Sequence, residues 1–159
     1  MSNKFKVNKK LVQLDSNETI SEWFLTVNTN KAPKNNNDED TIRNELKDAI
    51  AQIGTEEGLE EVLKYMDEDG LEIESEPDVV KKVNVRFVTE KGKKLHRIHA
   101  HFRLTILHEG RIHLNKQKLD EFLVEKINDP EITSVYTHWI FNVGKSFTIN
   151  MEKYMLKDI

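Results

Sequence analysis

The chain has 159 residues, enough to bury a sizeable core within one domain, and no cysteine, which excludes disulfides and thiolate metal sites. Its net charge of −4 conceals a segregation: Asp38 to Asp78 holds 16 acidic and three basic residues, a net of −13, while the remainder carries +9. A chain divided this way can offer a basic surface to phosphates while the acidic stretch faces elsewhere. No apolar run approaches the roughly 20 residues needed to span a bilayer, and the charged start "MSNKFKVNKK" is unlike a signal peptide. A soluble, intracellular protein is expected.

"EWFLTVNTN" (Glu22–Asn30) is rich in aromatic and β-branched residues with apolar groups on both faces, so it predicts a central strand. "KAPKNNNDED" is a polar loop. A helix follows, with Ile42, Leu46, Ala49, Ile50 and Ile53 at helical spacing and Gly54 at its end. Thr55 then caps a second, acidic helix with Leu59, Val62, Leu63 and Met66 on its inner face. "MDEDGLEIESEPD" reads as a loop.

"VNVRFVTE" alternates, with Val83, Val85 and Phe87 on one side; "KGKK" signals a turn, and a strand runs on to His108. Asn115 precedes a helix bearing Leu119, Phe122, Leu123 and Ile127, stopped by "NDP". "SVYTHWIFNV" is another strand, "FT" adds a short one, and Asn150 caps a last helix, "MEKYMLKDI". The expected architecture is α+β: a central antiparallel sheet with helices packed on it. The whole chain, 1–159, is read as a single domain, with an acidic helical insertion at about 38–78.

"HRIHAHFRLTILHE" (His96–Glu109) sets Ile98, Ala100, Phe102, Leu104 and Ile106 on one face, and Arg97, His99, His101, Arg103 and Thr105 on the other. If Val83, Val85 and Phe87 bury the same sheet face as Phe102, Leu104 and Ile106, opposed residues pair odd with even. Glu90 then shares a face with His99 and His101, and a register sum of 189 sets it opposite His99. Same-face neighbours on a strand lie roughly 6.5–7 Å apart at Cα, from which two imidazoles can lean onto one divalent ion with Glu90 as an oxygen ligand. Exposed strand histidines are also often idle. On the last helix, Tyr154 and Lys157 project from one side, where an ammonium favours the phenolate.

Two other features carry nothing. "GKS" at Gly144–Ser146 would need an earlier glycine where Trp139 stands, so an ATPase loop is not expected. The remaining histidines show no zinc-finger spacing.

In order, "FLTVNTN", "HAH" and "YMLK" resemble the three motifs of the HUH endonucleases, closest to the replication-initiator (Rep) nickases of small circular single-stranded DNA viruses. The resemblance spans Phe24 to Lys157. It implies a Rep-like, RRM-like topology in which Glu90, His99 and His101 hold Mg²⁺ or Mn²⁺ against a scissile phosphate. It implies that Tyr154 attacks phosphorus and becomes joined to the 5′ side, with Lys157 binding or polarising the phosphate. Thr26, Asn28 and Asn30 on the first-motif strand would contact DNA or support the site, and Arg86 and Arg103, on the histidine face by parity, would contact phosphates. The implied partner is single-stranded DNA at a replication origin, with a helicase domain or protein alongside; the implied place is the host nucleus, with no membrane. The long acidic stretch departs from the family pattern. So does the end of the chain two residues after Lys157, where Reps usually continue into a helicase. The competing expectations are a non-enzymatic single-stranded nucleic-acid-binding module and a catalytically inactive regulatory relative.

Overall fold

The computed structural model describes residues 4–7, 10–13, 17–74, 79–92 and 97–144. Strands β1 (Lys4–Val7) and β2 (Lys10–Gln13) pair antiparallel as a separate hairpin. The main sheet has four antiparallel strands: β3 (Thr19–Thr29), β6 (Val80–Lys91), β7 (Ile98–His108) and β9 (Val135–Gly144), in the order β6-β7-β3-β9. Between β3 and β6 run helices α1 (Asn36–Ile53) and α2 (Glu56–Val62), then strands β4 (Leu63–Met66) and β5 (Glu72–Ile73). Between β7 and β9 run β8 (Arg111–Leu114) and helix α3 (Lys116–Ile127). The four main strands therefore follow a split β–α–β–β–α–β order with the first and third at the centre, compatible with the RRM-like expectation.

One face of the sheet is the core. Trp23, Leu25 and Val27 from β3 and Ile98, Ala100, Phe102, Leu104 and Ile106 from β7 are buried beneath α1 and α3. α1 contributes Ile42, Leu46, Ala49, Ile50 and Ile53, and α3 contributes Leu119, Phe122, Leu123 and Ile127. Each fully buried side chain of this size stabilises by about 1.5–3 kcal/mol, so this layer dominates the favourable energy. The acidic span supplies α1, and that helix belongs to the sheet's own helical layer.

Helix boundaries follow their caps. Asn35 accepts from the Asp38 amide, Thr55 from Gly58 and Asn115 from Lys118, each satisfying a first-turn N–H with no partner in its helix. Asn128 ends α3 in the left-handed conformation (φ 56°) that asparagine tolerates. α2 meets the end of α1 so closely that a Cβ on Gly58 would lie 2.0 Å from the Gln52 carbonyl oxygen. Lys31, just past β3, ties three segments together through Asp129 (2.9 Å), Asp38 (3.2 Å) and Glu131 (3.3 Å). These bonds, Asp129's foremost, raise its ammonium well above the usual lysine range against the opposing effect of burial.

Three expectations need correction. The second helix stops at Val62, and Leu63 and Met66, expected on its inner face, are the first and last residues of strand β4. β4 pairs residue by residue with β8, which alternates buried and exposed residues. Part of the loop expected at 66–78 pairs as β5, with Tyr65 opposite Ile73. β4 finds β8 about 50 residues further on, a pairing that local periodicity does not register, and β5 only extends β4 as the second arm of a short hairpin. The expected "FT" strand, the Asn150 cap and the last helix lie outside the described residues.

Candidate metal centre

The register between β6 and β7 pairs Glu90 with His99, Phe87 with Phe102 and Val83 with Ile106, so the sum is 189 along the strands. β3 then sets Asn28 opposite His99 and Thr26 opposite His101, and β9 adds Tyr136 opposite Asn28 and His138 opposite Thr26. Two adjacent rows result on the face turned away from α1 and α3. One is Glu90–His99–Asn28–Tyr136, and the next is Val88–His101–Thr26–His138.

Glu90, His99 and His101 converge. Their ligand-capable atoms all lie within 4.8 Å of one another, so the three form a possible metal-binding group. Glu90 Oε1 lies between the two imidazoles, hydrogen-bonded to His101 Nε2 at 3.0 Å and to His99 Nε2. The rings meet edge to face at 5.2 Å. Partial burial works against ionisation of Glu90, but the bonds from His101 and His99 and the charge of both rings together hold its carboxyl below the usual range. The donor set fits a divalent cation: two imidazole nitrogens and one ionised carboxylate from a rigid ribbon.

The supporting contacts come from three elements. Thr26 Oγ1 sits 3.0 Å from His101 Nδ1. With a metal ion on Nε2, Nδ1 would carry the proton and donate to the Thr26 hydroxyl, an outer partner that would fix tautomer and ring plane. Phe24 stacks on the His101 ring (6.0 Å between centroids, 14° between planes). From the helical layer, Arg43 of α1 donates to Thr89 Oγ1 at 2.7 Å and bonds Glu39, pinning the edge strand one residue before Glu90.

The polar face is less open than alternation suggests. His101 is only 4% exposed and Arg103 1%; Arg103 lies 3.8 Å from the buried Glu22 carboxylate, which also accepts from Thr105. Arg103 is thus held inside the molecule beside an acid, not displayed for phosphate, because the sheet's central strands are covered on both faces there. Arg86, on edge strand β6, is half-buried. Thr26 and Asn28 are half-buried on the two rows of the centre. Asn30 lies past the strand's end and clamps the approach to β9: it accepts from the Thr133 and Ser134 amides and donates to the Glu131 carbonyl. Tyr154 and Lys157 lie outside the described residues.

Sequence reasoning missed Phe24 as a ring against His101, Glu22 as the partner of Arg103, and Tyr136 and His138 on the triad's own rows. The last two follow from the β3–β9 register, which no pattern within either strand fixes. Compared with known proteins, the chain matches no family model, no curated protein and no solved structure. The fold and the site define an α+β domain with a candidate two-histidine, one-carboxylate centre on its sheet. Among the described residues, no helix is long and apolar enough to cross a membrane.

Proposed function

We propose that the chain is a divalent-metal-dependent enzyme that nicks and rejoins single-stranded DNA, as in the initiation of rolling-circle-type replication. The observation that carries this reading is the convergence of Glu90, His99 and His101 on one point at the end of a β-ribbon. Two nitrogens and one oxygen leave positions for a phosphate oxygen, and Mg²⁺ or Mn²⁺ bound there would polarise the phosphodiester as a Lewis acid. Glu90 supplies the anionic ligand, His99 and His101 the neutral ones, and Thr26 keeps the His101 proton on Nδ1. The motif resemblance supplies the rest. The Tyr154 phenol loses its proton to solvent, its oxygen bonds to phosphorus, the bond to the 3′ oxygen breaks, and that oxygen takes up a proton. Lys157 favours the phenolate and steadies the phosphate charge.

The test is mass spectrometry of the protein after incubation with Mn²⁺ and a pool of random single strands. A tyrosyl–DNA adduct on Tyr154 is expected, lost in Tyr154→Phe and in His99→Ala/His101→Ala. Absence of any adduct from the wild-type chain would refute the enzymatic reading. A second reading, a non-enzymatic single-stranded nucleic-acid-binding module, draws on Tyr136, which is 60% exposed beside His138 on the histidine face and could stack a base. Metal-independent binding without an adduct would favour it.

A further inference from the structure

We propose that Arg43 and Glu39 of α1 are positioning residues for the metal centre. Acting through the two residues that flank Glu90, they fix the direction from which its carboxylate meets the ion. The inference rests on the metal-centre reading and is independent of the nicking step. The three ligands are not equally secure. His99 and His101 stand on β7, which is hydrogen-bonded to β6 on one side and to β3 on the other. Glu90 stands one residue from the end of β6, which among the described residues is an edge strand bonded to β7 alone. Its side chain is 35% exposed, against 19% for that of His99 and 5% for that of His101. The anionic ligand is thus the one that the sheet itself constrains least.

Helix α1 supplies the missing constraint. Strand side chains alternate between faces, so Thr89 and Lys91 point to the helix face while Glu90 points to the histidine face. Their partners on β7, Ala100 and Ile98, are both buried in the core. Arg43 Nη1 donates to Thr89 Oγ1 at 2.7 Å, and Nη2 donates to Glu39 Oε1 at 3.3 Å. A planar guanidinium makes both bonds at once. The same Glu39 oxygen lies 3.9 Å from Lys91 Nζ. Two residues one helical turn apart therefore hold the residue before Glu90 and the residue after it. The Cα–Cβ direction of Glu90 follows from the backbone on either side, and both sides are held.

The helical end of this clamp is itself anchored. Asp38, beside Glu39 in the first turn of α1, pairs with Lys31 at 3.2 Å, and Lys31 also binds Asp129 at 2.9 Å. Glu39 and Arg43 fall within the acidic stretch 38–78, so part of that stretch serves the metal centre from the opposite side of the sheet. A ligand held in its bound direction before the ion arrives loses less freedom on binding, which raises affinity.

Isothermal titration of the full chain with Ni²⁺ tests this, because imidazole sites hold Ni²⁺ more strongly than Mn²⁺ and binding stays measurable without Glu90. Wild type, Arg43→Met, Glu90→Ala and their combination form a double-mutant cycle, with His99→Ala/His101→Ala as the control for binding elsewhere. Arg43→Met is expected to weaken the Kd about three- to tenfold, less than the roughly 10–100-fold cost of losing a partner bonded to a ligand itself. In the Glu90→Ala background it should change nothing, whereas a contact that only supports the fold would cost the same in both. Thr89→Val, which exchanges the hydroxyl for a methyl, and Glu39→Ala, which cuts the Lys91 arm, should each weaken binding in the same way. Thr89→Ser should keep wild-type affinity. Wild-type affinity in Arg43→Met, Thr89→Val and Glu39→Ala, or an Arg43→Met loss of equal size without Glu90, would overturn the positioning role and leave the metal centre standing. A wild-type chain that binds no more Ni²⁺ than the double-alanine control would overturn both.

Discussion

Replacing Thr26 by valine removes one hydroxyl and keeps the side chain's shape. The hydroxyl lies 3.0 Å from His101 Nδ1, a normal hydrogen-bond length, on the side of the ring opposite the Glu90 contact. Such a neutral bond contributes about 0.5–1.5 kcal/mol net, and loss of an outer partner of a metal-bound histidine costs 10–100-fold in affinity, about 1.4–2.7 kcal/mol. The two ranges meet near 1.4 kcal/mol, so a roughly tenfold weaker Mn²⁺ Kd is expected. Isothermal titration of Mn²⁺ into wild type, Thr26→Val, Thr26→Ser and His99→Ala would measure it. Thr26→Ser should return most of the affinity and His99→Ala should abolish binding. A Thr26→Val chain with wild-type affinity, alongside a His99→Ala chain that binds nothing, would refute the argument that Thr26 orients His101.

Two further outcomes are expected. Buried His108 accepts from the Ser21 hydroxyl at Nε2 (2.7 Å) and donates from Nδ1 to the Glu109 carbonyl (3.1 Å), and burial lowers its pKa below the usual 6.5. The unfolded chain therefore binds the proton first. Stability should fall as pH drops through 6.5, by at most about 1.4 kcal/mol per pH unit for this one group; urea unfolding from pH 7.5 to 5.5 should show a shallower slope in His108→Gln. Gly58→Ala would force a methyl against the Gln52 carbonyl oxygen and the Ile53 Cα. Overpacking against backbone should cost about 3 kcal/mol or more, lowering Tm on the order of 10 °C; a differential scanning calorimetry trace matching wild type would contradict the close approach of α2 to α1.

Local chemistry determined much of this protein. Period-two alternation in β6 and β7 was enough to put Glu90, His99 and His101 on one face, because strand side chains alternate strictly and a buried face fixes parity. The caps Asn115 and Thr55 and the apolar stripes of α1 and α3 were equally legible, since a cap and a 3.6-residue period act within a few residues. Tertiary structure decided what depends on distant partners. Whether Leu63–Met66 continued a helix or crossed to β8, and whether Arg103 met a phosphate or Glu22, turned on residues about 50 and 80 positions away. So did the β3–β9 register, which aligned Tyr136 and His138 with the triad. Backbone pairing and burial reward contacts between surfaces that meet only once the chain has folded, and a window of sequence carries no record of what will cover it.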